Sequence, residues 1–221
     1  MLRKWSVFIG LLFIMVIAAS CSSPYQQFSE RGMSDEVSIT ADDIPEEPDK
    51  QELIDKIEGN TSNQVDDIIE ANFPLMDVVS GEGNQQAEVF ATNRFELDEL
   101  ASVLTTAMEP DKTSEVKDNQ QIFIYPNHFV TLKESEDDRD VLLIEVAADE
   151  FVRRNYSPSF LGTYFTFRLL DGMFGNNWSS RRAQTCQSGG CYGGYTGKEY
   201  HPDGQRRGRT SFRGGGPGAG K

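Results

Sequence analysis

Two cysteines near the C-terminus, Cys186 and Cys191 in "CQSGGCY", are the first residues whose type and spacing suggest chemistry. A short Ser-Gly-Gly-containing link lets the chain turn between them, so outside the cytoplasm they are disulfide candidates. A metal site is the alternative, with His201 further along, but the spacing fits no common zinc pattern and a fourth ligand is missing. Four arginines beyond them, Arg206, Arg207, Arg209 and Arg213, are candidates for contacting anions. With Tyr195 and Phe212 they look like an arm that grips a polyanion by phosphate contact and stacking. No nucleophile–base motif is present: there is no G-x-S-x-G, no H-E-x-x-H and no phosphate-cradling loop after a strand. A catalytic reading would need His128 gathered with carboxylates such as Glu145 or Glu150. The acidic run Glu134 to Asp140 lacks the Gly and the alternate-ligand spacing of an EF-hand, so it reads as a solvated hairpin loop. No catalytic residue, metal ligand or cofactor is assigned.

The third cysteine has a different setting. Arg3 and Lys4 precede an uncharged run from Trp5 to Ala19, and Ala18-Ala19-Ser20 lead into Cys21. The run is about 15 residues, short of the roughly 20 that span a bilayer. This segment resembles the bacterial lipoprotein signal, with Ala18 in place of the Leu usual there. The resemblance implies cleavage after Ser20 and a diacylglyceryl anchor on Cys21. An uncleaved anchor helix is the alternative, and both place the rest of the chain outside the cytoplasm. One acyl chain holds a protein only marginally, at about 0.8 kcal/mol per buried CH₂, so durable attachment needs two or more.

Charge divides the chain. It carries 35 acidic and 21 basic side chains, for a net −14. Residues 22–152 hold 32 Asp/Glu against 8 Lys/Arg, and residues 153–221 hold 3 against 11, so the halves carry −24 and +8. The second half should seek anions, in a partner or in its own acidic front. Outside a cell the polyanions at hand are lipid headgroups and wall polymer, which ranks nucleic acid a distant third.

The elements that must position these residues follow from periodicity. Residues 21–63, with "DDIPEEPDK" at their centre, read as a disordered acidic tether, although "QELIDKIE" has the pattern of a short helix turn. Residues 64–156 read as a small α+β domain with a mainly antiparallel sheet and flanking helices. Helical spacing marks Val65, Ile68 and Ile69, then Leu97, Leu100, Ala101, Leu104 and Met108. Strand patterns mark a run around Val89, then Gln121–Tyr125, His128–Lys133 and Asp140–Ala147. "DEFVRRN" reads as a short helix, ended by Pro158. Residues 157–178 form an apolar segment; from Phe160 to Phe174 it would be greasy around a whole helix. It therefore either covers the sheet or meets a partner, with Phe160, Phe165 and Phe174 as the contact candidates. Residues 179–221 read as a flexible Gly/Arg-rich tail.

The run "FVRRNYSPSFLGTYFTFRLLDGMFGNNW" and the ending "RGGGPGAGK" resemble an uncharacterised lipoprotein family of Gram-positive bacteria. The resemblance covers roughly Ala71 to the C-terminus. It implies a lipid anchor, a single domain and a membrane-associated partner, and it supplies no catalytic residues. The expectation is a non-enzymatic lipoprotein (residues 1–20 its signal peptide, Cys21 its palmitate-type anchor) on the extracytoplasmic side of the cell membrane. It would act as a binding or scaffold component of an envelope complex. The rivals are an extracytoplasmic enzyme with an unrecognised site and a structural lipoprotein that binds wall polymer.

Overall fold

The computed structural model describes residues 37–187, 190–198 and 200. Cys21 and the arginines Arg206, Arg207, Arg209 and Arg213 lie outside the described residues. The fold is α+β: a six-stranded antiparallel sheet in the order β1-β2-β6-β5-β4-β3, with helices on both faces. The strands are β1 (Leu75–Ser80), β2 (Gln86–Thr92), β3 (Lys112–Thr113), β4 (Gln120–Ile124), β5 (His128–Glu134) and β6 (Leu142–Ala148).

Strand β6 holds the centre, paired with β2 on one side and β5 on the other. It is buried along nearly its whole length, which explains a run of apolar residues with little alternation. Its side chains divide between two cores: Leu142, Ile144 and Val146 point to one face, Leu143 and Ala147 to the other. The β3–β4 reversal uses Asp118 and Asn119 in the left-handed region (φ 51° and 54°), a conformation these two residue types tolerate.

One face is covered by α1 (Lys50–Glu58), α2 (Val65–Asn72) and α3 (Leu97–Ala107). Each presents one apolar stripe: Leu53 and Ile57; Val65, Ile68 and Ile69; Leu97, Leu100 and Leu104. Asp49 caps α1 by accepting from the Glu52 backbone N–H at 2.9 Å, and a Glu96/Glu99 capping box starts α3.

This corrects the tether. From Val37 onward its residues belong to the folded domain: Leu53 is 1% exposed and Ile57 0%, with Ile39 and Ile44 buried against the opposite core. The acidic average concealed a few apolar side chains at helical spacing, and most of the carboxylates around them sit on the outer side or serve as caps.

The other face is covered by α4 (Asp149–Asn155), α5 (Pro158–Tyr164), α6 (Phe167–Phe174) and α7 (Trp178–Cys186). The expected single helix from Phe160 to Phe174 is two helices, broken at Phe165–Thr166, where the Thr166 side chain caps α6 by accepting from the Leu169 N–H at 3.3 Å. The break turns both apolar stripes inward. Phe165 and Phe174 are 8% and 9% exposed, Phe174 stacks on Phe129 of β5, and half-buried Phe160 packs on Tyr156. Phe165 and Phe174 are core residues rather than partner contacts, and Phe160 packs against that core while staying partly exposed. Among the described residues no helix is long and apolar enough to cross a membrane.

The tail boundary moves as well. Cys186 at the end of α7 is joined to Cys191 by a disulfide. The segment around Cys191, residues 190–198, returns to the sheet as a strap with Tyr192 and Tyr195 buried. It meets the start of the domain where the Val37 N–H donates to the Gly197 carbonyl at 2.7 Å. Gly197 has φ +71°, and a Cβ there would lie 2.3 Å from the Val37 oxygen, so a side chain at this position would break the clamp.

If residues 37–63 are part of the core, Leu53→Ala should lower unfolding stability by about 2–5 kcal/mol. Urea denaturation measures this, and an unchanged midpoint would return α1 to the tether.

Candidate functional site

The sheet register decides the first question, whether His128 meets a carboxylate in a pocket. In the β5–β6 ladder His128 stands opposite Ala148 and Thr131 opposite Glu145. Successive strand residues face opposite ways, so His128 and Glu145 lie on different faces. His128 turns to the α1–α3 side, with Nδ1 3.4 Å from the Asp66 carboxylate of α2. Glu150 is outside on α4, paired with Arg153 and Arg154, which hold its pKa down. The three groups are not brought together.

Glu145 is instead the centre of a buried polar cluster on the α4–α7 side. It is 3% exposed, in the middle of the central strand. Its Oε1 accepts from the Tyr156 hydroxyl at 2.8 Å, and its Oε2 from the Tyr195 backbone N–H at 3.2 Å. Tyr192 lies against Tyr156 with ring centroids 5.0 Å apart. Burial pushes the Glu145 carboxyl up; the Tyr156 hydroxyl and the Tyr195 N–H offset part of that by favouring the charged form. Burial, with the carboxylate beside them, pushes both the Tyr156 and Tyr192 phenols well above their ordinary range.

The same strap is held at three further points. The Tyr195 hydroxyl donates to Asp77 of β1 at 2.8 Å, and the Lys133 ammonium donates to the Tyr195 carbonyl at 3.2 Å. Tyr192 bridges in parallel to Tyr156: its N–H donates to the Asn155 carbonyl at 2.8 Å, and its carbonyl accepts from Ser157 at 2.7 Å. Arg182 of α7 is buried and has no carboxylate partner among the described residues. Its guanidinium donates to the Asn155 and Tyr156 carbonyls at the end of α4, where a helix presents unpaired acceptors. Glu145, Tyr195 and Arg182 are engaged in holding the strap, while the buried Tyr192 hydroxyl has no hydrogen-bond partner among the described residues.

The other concentration of charge is open. A cleft of about 460 Å³ lies where β2 and β5 end and β6 begins, walled by the incoming segment at Ala41, the start of α1, the β2–α3 loop and the β5–β6 loop. It takes three cations, Lys50, Arg94 and Arg139, and three anions, Glu96, Glu134 and Asp140. Some are already engaged. Lys50 binds Glu99 at 2.6 Å and stands over the Phe95 ring. Arg94 donates through Nη2 to the Glu47 carbonyl at 2.9 Å. Glu47 is buried, and its Oε2 accepts from Thr92 and from the Asn93 N–H, which fixes the loop that carries Arg94.

The acidic β5–β6 loop is ordered by its own carboxylates. Asp138 accepts from the Ala41 N–H at 2.9 Å and from the Asp140 N–H at 3.1 Å, and those two donors hold its pKa below the usual carboxylate range. Among the described residues, no group of three or more His, Cys, Asp or Glu side chains converges to hold a metal ion. Sequence reasoning missed the cleft because its six charges come from four separate segments, none carrying a motif.

The Glu145 cluster predicts a pH dependence. A carboxyl whose pKa is raised on folding binds more protons folded than unfolded, so its contribution to stability falls as pH rises from the unfolded value, about 4.3, through the raised one. The slope approaches about 1.4 kcal/mol per pH unit at most. Glu145→Gln should flatten the decline of thermal midpoint above pH 5, whereas Tyr156→Phe, which removes a donor to the carboxylate, should steepen it. Melting curves from pH 4 to 8 check both; parallel curves for wild type and Glu145→Gln would refute the assignment.

In comparisons with protein-family models, curated proteins and solved structures, nothing significantly matches this chain.

Proposed function

We propose that this chain is a lipid-anchored, extracytoplasmic binding or scaffold component of the cell envelope, tethered through Cys21. The observation that carries the proposal is the Cys186–Cys191 disulfide, because the strap it staples completes a core that buries Tyr192 and Tyr195. A disulfide at the base of such a segment suits an oxidising compartment, where it forms and persists. That setting agrees with the signal-like start of the chain and its Cys21.

The distribution of charge favours binding over catalysis. The buried Glu145 carboxyl is enclosed among tyrosines, while the exposed charges line a cleft with no nucleophile–base pair. The Val37–Gly197 clamp gives the anchor and the tail a common origin. Cys21 precedes Val37 by 16 positions, at most about 55 Å of extended chain, and Arg206 follows Gly197 by nine, about 30 Å. Arg206, Arg207, Arg209 and Arg213 would then meet anionic lipid or wall polymer near the anchored surface, at about 1 kcal/mol per basic residue. A membrane protein is the other partner this arrangement suits.

The anchor is tested by labelling with an alkyne-tagged palmitate in a bacterial host that processes lipoproteins. Wild type should take up label and enter the detergent phase of a Triton X-114 partition, and Cys21→Ser should do neither. An unlabelled wild type in the aqueous phase sinks the proposal.

A further inference from the structure

We infer that the cleft between the β2–α3 and β5–β6 loops is a binding site for a small zwitterion, one carboxylate and one ammonium on a molecule of about dipeptide size. The inference rests on the binding role proposed above and names the class of ligand. The volume, about 460 Å³, falls in the range of small-molecule sites.

The sign pattern selects the ligand. With three cations and three anions around one cleft, a simple anion is drawn by one half of the wall and repelled by the other, and a simple cation meets the reverse. A molecule carrying both charges satisfies both halves. Engagement within the fold narrows the contacts. Lys50 is committed to Glu99, Glu134 accepts from the Asn119 side chain, and Glu96 takes part in the cap of α3. Arg139 and Asp140 remain: adjacent in sequence, opposite in charge, exposed, and without an ion pair among the described residues. The guanidinium of Arg139 offers a planar fork to a carboxylate, and Asp140 accepts from an ammonium.

One buried polar atom of the lining is left unsatisfied: Arg94 Nε has no hydrogen-bond partner among the described residues. Native interiors leave few such groups, and an occupant of the cleft would supply an acceptor.

The test uses the full chain in detergent micelles and glycylglycine as the probe, with acetate and methylamine as its two halves. Calorimetry should show saturable glycylglycine binding in the micromolar-to-millimolar range, with each half at least ten-fold weaker. Arg139→Glu should weaken glycylglycine at least ten-fold, and Arg139→Lys by less than Arg139→Glu. Arg139 is exposed, so unchanged melting temperatures of the two variants would separate lost binding from lost folding. No saturable heat with glycylglycine, acetate binding as tightly as the dipeptide, or indifference to Arg139→Glu would each overturn the assignment. None of these readouts depends on Cys21, so a palmitate-labelled chain that ignores the dipeptide refutes the ligand and leaves the anchor standing.

Discussion

A carboxylate in the middle of the central strand sets the terms for half of this molecule. Glu145 sits where β6 is buried on both sides, and a buried charge without donors costs several kcal/mol. Donors therefore have to be brought to it. Tyr156 supplies one from the end of α4, but the second comes from a backbone N–H 50 residues further along, at Tyr195. The chain must return to the sheet after four helices, and the disulfide, the Arg182 clamp and the Val37–Gly197 hydrogen bond all act on that return. The strap is the other half of a polar site that β6 leaves incomplete.

The two faces of the sheet solve packing in different ways. On the α1–α3 side the core is aliphatic, built from Leu, Ile and Val at helical spacing and closed by capped helices. On the α4–α7 side short helices are joined by tight breaks, and an aromatic chain from Phe151 through Tyr156 and Tyr192 to Tyr200 does the filling. Rings with a polar tip suit that side, because they fill volume and present hydroxyls to Glu145 and Asn155 at once. Asn155 shows the same economy: its side chain accepts from the Glu82 N–H and donates to the Phe151 carbonyl, tying α4 to the β1–β2 turn.

The legible parts of the sequence were those where one period dominates. Residues 64–156 alternate or repeat cleanly, and α2, α3, β2, β4, β5, β6 and α4 appear where the pattern places them. Strand β1, "LMDVVS", escaped notice because an edge strand with a bulge between Leu75 and Asp77 has no clean alternation. The two boundary errors share one cause. Composition averaged over 20 or more residues says disorder for an acidic run and for a glycine-rich run, yet a few buried side chains decide the matter: Leu53 and Ile57 in one, Tyr192 and Tyr195 in the other. The apolar segment failed differently. A full ring of hydrophobic residues reads as one greasy helix only until a cap is recognised, and Thr166 is that cap. The cleft was out of reach altogether, since Lys50, Arg94 and Arg139 become neighbours only through the sheet.

Charge is also sorted by layer, which bears on how the domain would approach a surface. Residues 37–148, which supply the sheet and the α1–α3 layer, hold 27 acidic and 7 basic side chains; residues 149–187, the α4–α7 layer, hold 3 and 5. Several charges of the second layer are consumed internally: Asp171 caps α7 through the Ser179 N–H, Glu150 is shared by two arginines, and Arg182 is buried. Arg168 and Arg181 stay exposed. At physiological ionic strength charges are felt over about 8 Å, so what matters is which side comes near, more than the net −14. An anionic membrane would repel the α1–α3 side and tolerate the other, leaving the acidic helices turned away. Against such a surface the domain would be oriented by repulsion from one layer more than by attraction to the other.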